Sequence, residues 1–493
     1  MLKYSQILSV LKDLLTASPA GNIPPETAVM QIANDSRTVI KDAVFVAIAG
    51  AKSNGLQFVP QALQRGAKVI ISQTPVNDLP EGTVNLCVSN DYTAYARLCE
   101  AFYDYPADAL KRFAITGTNG KTTSVMIIRA LLNYRQRRCG LISTVEYDTG
   151  CGEPETADRT TPEAGKLFQY IAQMRDNQLD AFAMEVSSHA LHQNRIGSLK
   201  FDAAIFSNLT GDHLDYHHTF EDYFCAKRKL FIEHLAENGI AVINCDDAYG
   251  RTLSADPAIK NIVTFGQNNG VWQIKNVSVT RSGSKFTLTD GCIEQKFQTN
   301  AVGLHNIYNI TGAVLALHHT GILPLADSAA ILESVRITVP GRLETFILPS
   351  GATAVVDYAH TSDALKNVLQ SLQKLSPARI ICVFGAGGDR DKTKRPLMGK
   401  AVAEYADMIY LTSDNPRSEN PLQILEDIKA GIPGDFPSLN IIPDRYKAVN
   451  QALQAAAAGD IVLIAGKGHE DYQEINGVKY HLDDREIVRN FCK

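Results

Sequence analysis

Phe113-Ala-Ile-Thr-Gly-Thr-Asn-Gly-Lys-Thr-Thr-Ser-Val-Met-Ile-Ile-Arg-Ala-Leu-Leu132 decides the fold: an apolar strand, a glycine-rich turn, then an apolar run that reads as a helix. Glycine lets backbone N–H groups curl around phosphate oxygens, and the N-terminus of the following helix adds positive potential. Gly117, Thr118, Asn119 and Gly120 form the cradle, Lys121 can reach the β- and γ-phosphates of a nucleotide, and Thr122 or Thr123 can hold Mg²⁺. The usual P-loop spacing asks for glycine where Ile115 stands. Strand, loop and helix still come in the required order, so a nucleotide site is expected here.

Outward from this loop, apolar strands alternate with polar or glycine-rich loops: Gly140-Leu-Ile-Ser, Ala181-Phe-Ala-Met-Glu, Ala203-Ala-Ile-Phe-Ser and Ile240-Ala-Val-Ile-Asn. Helical patterns between several of them predict a largely parallel, doubly wound sheet. A β-rich passage, residues 271–298, interrupts the alternation before a helix over 306–318. A third region begins near Pro340, with strands at Ala354-Val-Val-Asp, Arg379-Ile-Ile-Cys-Val-Phe, Met408-Ile-Tyr-Leu-Thr and Asp460-Ile-Val-Leu-Ile-Ala. The first hundred residues carry short β-rich stretches, as in Ala43-Val-Phe-Val-Ala-Ile and Lys68-Val-Ile-Ile-Ser, which suit a small α/β module. The expectation is an α/β protein of three domains: a small N-terminal α/β module over 1–108, a central P-loop ATPase with a parallel sheet over 109–338, and a C-terminal Rossmann-like domain over 339–493. Ligands of open α/β sheets bind beyond the carboxyl ends of the strands, so two candidate surfaces face each other.

The length of 493 residues supports this division, because a single core stops growing near about 250 to 300 residues. Hydrophobic residues at 45% and charged residues at 20% exclude disordered and fibrous classes. Lys plus Arg at 48 against Asp plus Glu at 53 leaves a net charge of −5, which gives no electrostatic footprint for nucleic acid or an anionic membrane. The longest apolar runs have about nine residues, too few to span a bilayer, and the first residues lack the basic and apolar regions of an export signal. A cytoplasmic location is expected. Nine cysteines without a Cys-x-x-Cys spacing read as reduced thiols.

Two further constellations carry chemistry. Glu185, at the end of one strand, and His213, in Ser207-Asn-Leu-Thr-Gly-Asp-His, beyond the next, could approach a shared Mg²⁺ beside the nucleotide. In the last region, Phe384-Gly-Ala-Gly-Gly-Asp-Arg-Asp-Lys misses the dinucleotide spacing. Arg390 and Arg417 can instead clamp a carboxylate while Glu470 takes an ammonium, a set suited to a zwitterionic amino acid. Lys227, on its own residues, reads as an ordinary helix lysine.

Gly117-Thr-Asn-Gly-Lys-Thr-Thr, joined to Asp357-Tyr-Ala-His-Thr and Asp414-Asn-Pro-Arg, resembles the Mur ligase family, and the likeness runs through essentially the whole chain. The resemblance implies a uridine-nucleotide domain, a central ATPase and an amino-acid domain. It implies an ATP-dependent ligation of meso-diaminopimelate to UDP-N-acetylmuramoyl-L-Ala-D-Glu in peptidoglycan precursor synthesis, with small molecules as the only partners and a monomeric chain. Residue by residue, it assigns Asn34, Ser36, Ala51, Lys52, Ser53, Thr160, Thr161, Ser187, Gln193 and Arg195 to the UDP-muramoyl dipeptide. It assigns Asn306, Asn309, Arg342 and Asp357 to ATP beside the P-loop, and Lys227 as a carbamate joining Glu185 and His213 at the metal. Arg390, Asp414, Asn415, Pro416, Arg417, Gly466 and Glu470 fall on the amino-acid pocket. Ser362 and Leu343 depart from the family's usual proline and methionine.

A free carboxylate does not accept an amine near neutral pH, because its leaving group would be oxide or hydroxide; an ATP-derived acyl phosphate does. Aligning three substrates requires domain closure, and hinges are expected near residues 106–111 and 336–342. The competing readings are a lysine-adding or folylpolyglutamate-type ligase, or a P-loop NTPase coupled to partner binding.

Overall fold

The computed structural model describes residues 1–50, 54–280 and 282–493; Ala51, Lys52 and Ser53, expected at the uridine nucleotide, lie outside them. Three main sheets follow one another along the chain. In the first, Gln31–Ala33, Ala43–Val46, Ala67–Ser72 and Val84–Cys87 run parallel, with Ala20–Gly21 antiparallel at one edge. Ala43–Val46 and Val84–Cys87 are buried at every residue, as befits parallel strands covered on both faces.

The central sheet has eleven strands. Its parallel part runs in the order Cys139–Ile142, Ala181–Glu185, Lys111–Thr116, Phe201–Phe206, Leu235–Asn244, Ile262–Gly266, Trp272–Thr280. Lys111–Thr116 therefore lies between Ala181–Glu185 and Phe201–Phe206, and the loops leaving all three converge at one end. The β-rich passage after residue 271 does not interrupt this sheet. Gly283–Thr289 and Glu294–Thr299 extend it as antiparallel strands, and Glu146–Asp148 with Glu155–Thr156 cap its other edge in the same sense.

The third sheet orders Glu344–Ile347, Thr353–Asp357, Ile461–Ala465, Ile380–Phe384, Met408–Leu411 and Leu439–Ile441, parallel except for the first strand. Two apolar clusters cover its two faces. One includes Leu365, Met398 and Ile428 from three helices, and the other includes Val449 and Val488 from two more.

The cores join unevenly. One apolar cluster runs from Leu2 to Ile259, so the N-terminal module and one face of the central sheet share a core. The helix Asp91–Phe102 packs on Ala164–Asp176 so closely that a Cβ at Gly165 would lie 2.5 Å from the Tyr95 hydroxyl. Pro106 and Ala107 in the connecting turn, and Leu110 after it, are buried. A hinge near 106–111, expected from sequence, is therefore disfavoured, because bending there would open the shared core. The clusters of the third sheet take no buried residue from the other two regions, which leaves 336–342 as the segment able to move. Among the described residues no helix is long and apolar enough to cross a membrane.

Candidate active site

Ile115 is a fully buried strand residue paired with Glu185 and Ile205, and the turn begins two residues later. Gly117 holds φ +147°, and a Cβ there would lie 1.9 Å from Ser207 Oγ. The conformational freedom that the usual motif places at the first position is thus moved to Gly117, which explains Ile115. Gly120 holds φ +90°, with Asn309 Oδ1 2.2 Å from where a Cβ would stand. The 207–210 loop grips the turn from outside: Thr118 N donates to Asn208 O and Asn119 N to Asn208 Oδ1, each at 2.9 Å. Thr210 N donates to Thr118 Oγ1 at 2.9 Å. The first N–H groups of the helix Lys121–Tyr134, with no residue preceding them in helical register, point out of its N-terminus toward the turn, as an anion site requires.

Lys121 Nζ donates to the carbonyls of Gly117 and Thr118, each at 2.9 Å. Lys227, fully buried on the helix Phe220–Ile232, donates from Nζ to the same Gly117 oxygen at 2.9 Å. Burial, then the neighbouring Lys121 cation, pushes the Lys227 ammonium well below its ordinary range, while Asp212 opposes them. Burial also lowers Lys121, with Arg342 adding to it and Glu185 and Asp212 opposing. Glu185 is fully buried; its two carboxylate oxygens accept from Thr144 N at 2.8 Å and Thr144 Oγ1 at 3.0 Å. His213 is pushed down to about 4 by burial, then by the cations of His189, Lys121 and Lys227 against Asp212, so its imidazole is neutral near pH 7. Glu185, His213 and Lys227 thus surround the phosphate turn, although among the described residues no three His, Cys, Asp or Glu side chains form a ready metal cluster.

The C-terminal domain reaches this centre through Arg342, whose guanidinium lies 4.2 Å over the Tyr358 ring and whose Nη2 donates to Thr122 Oγ1 at 3.4 Å. The Asp357 carboxylate accepts from Leu343 N and Ala359 N, each at 2.8 Å, so it anchors the Arg342 segment from behind. Lys394 Nζ adds a second bridge to Asp212 Oδ1 at 3.3 Å. Asn309 sits on the turn beside Gly120, and Asn306 Nδ2 donates to Val302 O at 2.9 Å one helical turn away.

Next to Glu185, Thr161 Oγ1 donates to the Glu185 carbonyl at 2.9 Å and accepts from Ser187 N at 3.0 Å. The Thr160 hydroxyl lies 3.1 Å from Thr144 Oγ1 and donates to it, since Thr144 spends its own proton on Glu185. Arg195 donates to Thr161 O at 3.1 Å and to Gln193 Oε1 at 2.6 and 2.9 Å, and Gln193 Nε2 reaches the Tyr216 hydroxyl at 3.1 Å. Five of the residues expected at the muramoyl dipeptide are thus one network around Glu185. Asn34 and Ser36 lie in the first domain, Asn34 exposed and Ser36 buried with its hydroxyl donating to Gln61 Oε1 at 2.6 Å.

The amino-acid candidates meet beyond the strands of the third sheet. Arg417 holds φ +52°, fixed by its N–H to Glu474 O at 3.0 Å and by Asn476 N to its carbonyl at 2.8 Å. Its Nη1 donates to Gly388 O at 2.7 Å and its Nε lies 3.4 Å from Glu474 Oε2. Arg390 is exposed beside it across Gly387. Asp414 Oδ1 accepts from Asn415 N at 2.7 Å, and a Cβ at Gly466 would lie 2.6 Å from Asp414 Oδ2. Pro416 packs its carbonyl on Gly388, where a Cβ would stand 1.9 Å away. Asn415 Nδ2 donates to Glu470 Oε2 at 2.8 Å.

Sequence reasoning missed Asn208, Asp212, Tyr358 and Lys467. The first two lie in the quoted Ser207–His213 segment, and their position after the strand adjoining Lys111–Thr116 was the available signal. Tyr358 lies in the quoted Asp357-Tyr-Ala-His-Thr stretch, but it meets Arg342 outside that stretch, and Lys467 meets Asn415 52 residues away, so neither contact could be read from local spacing.

The chain is similar to known proteins over nearly its whole length. Residues 29–115 match the model described as Mur ligase family, catalytic domain, residues 115–317 the Mur ligase middle domain, and residues 341–468 the Mur ligase, glutamate ligase domain. A UDP-N-acetylmuramoyl-L-alanyl-D-glutamate–2,6-diaminopimelate ligase of Synechococcus elongatus is 40% identical, covering 97% of this chain and 98% of its own. The ligase of the same name from Aquifex aeolicus is 39% identical over 92% of each chain. A solved structure of a ligase of that name aligns with a TM-score of 0.68 at 34% identity, over 100% of this chain and 98% of that one. The MurF ligase from Thermotoga maritima in complex with ADP, 19% identical, shares the fold at a TM-score of 0.61 over 88% of this chain and 93% of its own.

Proposed function

The chain belongs to the Mur ligase family, and on that premise we propose that it uses ATP to join meso-diaminopimelate to the D-glutamate of UDP-N-acetylmuramoyl-L-Ala-D-Glu. The full-length likeness to diaminopimelate-adding ligases carries this reading, and the reach of Arg342 from the C-terminal domain to Thr122 beside the phosphate turn supports it. The chain acts in the cytoplasm as a monomer, where its nucleotide substrates are made and used.

The glutamate carboxylate attacks the γ-phosphorus of ATP, ADP leaves, and an acyl phosphate results. The amine of diaminopimelate then attacks the acyl carbon, the tetrahedral intermediate expels phosphate, and an amide remains. Lys121, the N–H groups at the start of Lys121–Tyr134 and Arg342 offset the charge of the moving phosphoryl group, each contributing roughly a few kcal/mol. Asn306 and Asn309 flank the nucleotide, and Asp357 acts on it through Arg342. Thr160, Thr161, Ser187, Gln193 and Arg195 hold the muramoyl dipeptide so that its carboxylate lies beside the turn, with Asn34 and Ser36 at the uridine end.

The donor set fits a hard divalent cation such as Mg²⁺: a buried carboxylate, threonine hydroxyls and a neutral imidazole. Thr122 or Thr123, Glu185, His213 and Lys227 would hold it, Lys227 only as a carbamate, since an ammonium has no lone pair to give. When bound, the ion supplies positive charge to the phosphates. Arg417 and Arg390 receive the carboxylates of diaminopimelate, Asp414 to Arg417 and Gly466 shape the pocket, and Glu470 receives an ammonium.

Omitting each substrate in turn tests the reaction. Phosphate release should require ATP, the UDP-muramoyl dipeptide and diaminopimelate together. Release with ATP alone would instead favour an NTPase.

A further inference from the structure

Asn415, Lys467 and Glu470 close a triangle at the base of the pocket. Lys467 is fully buried, and its Nζ lies 3.2 Å from both Asn415 Oδ1 and Glu470 Oε2. Asn415 Nδ2 completes the third side at 2.8 Å to Glu470 Oε2. The backbone turns this lysine inward, because Gly466 and Gly468 on either side hold φ +112° and φ +52°. Gly468 is also wedged against the hinge: a Cβ there would lie 2.7 Å from Gly341 O and 2.7 Å from Tyr358 Cβ.

An asparagine amide has two nearly isosteric ends, and its partners decide which way it faces. Asn415 Oδ1 takes donors from two sides, Lys467 Nζ and Glu474 N at 3.0 Å, so only its NH₂ can face Glu470. Glu470 in turn receives both of its described hydrogen bonds on Oε2, which leaves Oε1 as the oxygen open to a ligand. Removing Lys467 would leave the amide oxygen held by Glu474 N alone and take away one of the two bonds that fix the Glu470 carboxylate, which could then rotate. A buried lysine–carboxylate pair is weak evidence for stability, but it fixes geometry.

The geometry points to Lys467 as a positioning residue, one that aims Glu470 Oε1 at an ammonium group of the amino-acid substrate without touching that substrate itself. This rests on the reading that the pocket takes an amino acid. Its effect is confined to amino-acid binding, because among the described residues neither the phosphate turn nor the muramoyl network shares a hydrogen bond with the triangle.

Steady-state kinetics with the full chain test it. Lys467→Met should raise the KM for diaminopimelate about tenfold or more while leaving the KM for ATP and for the peptide nucleotide within about twofold. In a Glu470→Ala background the same substitution should add nothing to the KM, since its target is gone. An unchanged KM for diaminopimelate in Lys467→Met, equal rises for all three substrates, or additive effects in the double variant would overturn the proposal. If Lys467→Met does not melt cooperatively, Lys467→Gln is judged by the same criteria. Failure of the unsubstituted chain to release phosphate with any amino acid would instead strike the functional reading beneath it.

Discussion

Lys121 Nζ and Lys227 Nζ donate to one and the same atom, the Gly117 carbonyl oxygen, each at 2.9 Å. Burial first, and then the Lys121 cation beside it, drive the Lys227 ammonium well below its ordinary range against Asp212, which raises its neutral fraction near pH 7. Only a neutral amine attacks CO₂, forming the N–C bond of a carbamate and releasing a proton. Carbon-13 NMR of the protein under labelled CO₂ should therefore show one carbamate signal that is absent from Lys227→Ala. That variant should lose about a hundredfold or more in activity and regain part of it with short-chain carboxylic acids. An active enzyme without the signal would refute the assignment.

Arg417→Ala should raise the KM for diaminopimelate strongly and leave that for ATP nearly unchanged, because Arg417 lies in the proposed amino-acid pocket and bonds to Gly388 and Glu474 there. Arg417→Lys should not restore it, since a point charge cannot make paired bonds to a carboxylate. A full rescue by lysine would show that only charge matters there.

Glu100, buried on the helix Asp91–Phe102, accepts from Ser198 N at 3.1 Å and from the Ser198 hydroxyl. Burial raises its carboxyl above the ordinary 4.5, with the Ser198 hydrogen bonds opposing. A folded value above the unfolded one means that the native state binds the proton more tightly. Its contribution is complete below about pH 4.5 and is lost as pH rises through the folded value. Glu100→Gln should thus melt a few degrees higher than the unsubstituted chain at pH 7 and at nearly the same temperature at pH 4. A lower melting temperature at pH 7 would show that the ionised form is the one the fold uses.

Substrate binding should change amide hydrogen exchange at residues 336–342 and leave 106–111 protected throughout. The first segment joins separate cores, whereas Pro106, Ala107 and Leu110 are buried where two regions share one. Rapid exchange at 106–111 would contradict this division.

The sequence made the parallel strands readable because each is an uninterrupted apolar run, and it made the phosphate turn readable because glycine, lysine and threonine stand at functional spacing. It did not disclose that residues 271–298 extend the central sheet, since alternating edge strands do not name their neighbours. Nor did it disclose the shared core, which depends on Tyr95 meeting Gly165 across a long separation. Of the candidate site, the charged residues at strand ends were legible. Asp357, spent on Leu343 N and Ala359 N, and Lys467, hidden beneath Glu470, required the topology.

Competition between meso-diaminopimelate and L-lysine tests the central claim most directly. Both are supplied at equal concentration with ATP and the UDP-muramoyl dipeptide, and the products are weighed by mass spectrometry. With lysine bound, Arg417 would lack its carboxylate, a penalty of about 2 to 5 kcal/mol, so the diaminopimelate product should exceed the lysine product by roughly 30-fold to several thousand-fold. Comparable amounts of the two products, or no tripeptide at all, would contradict the account.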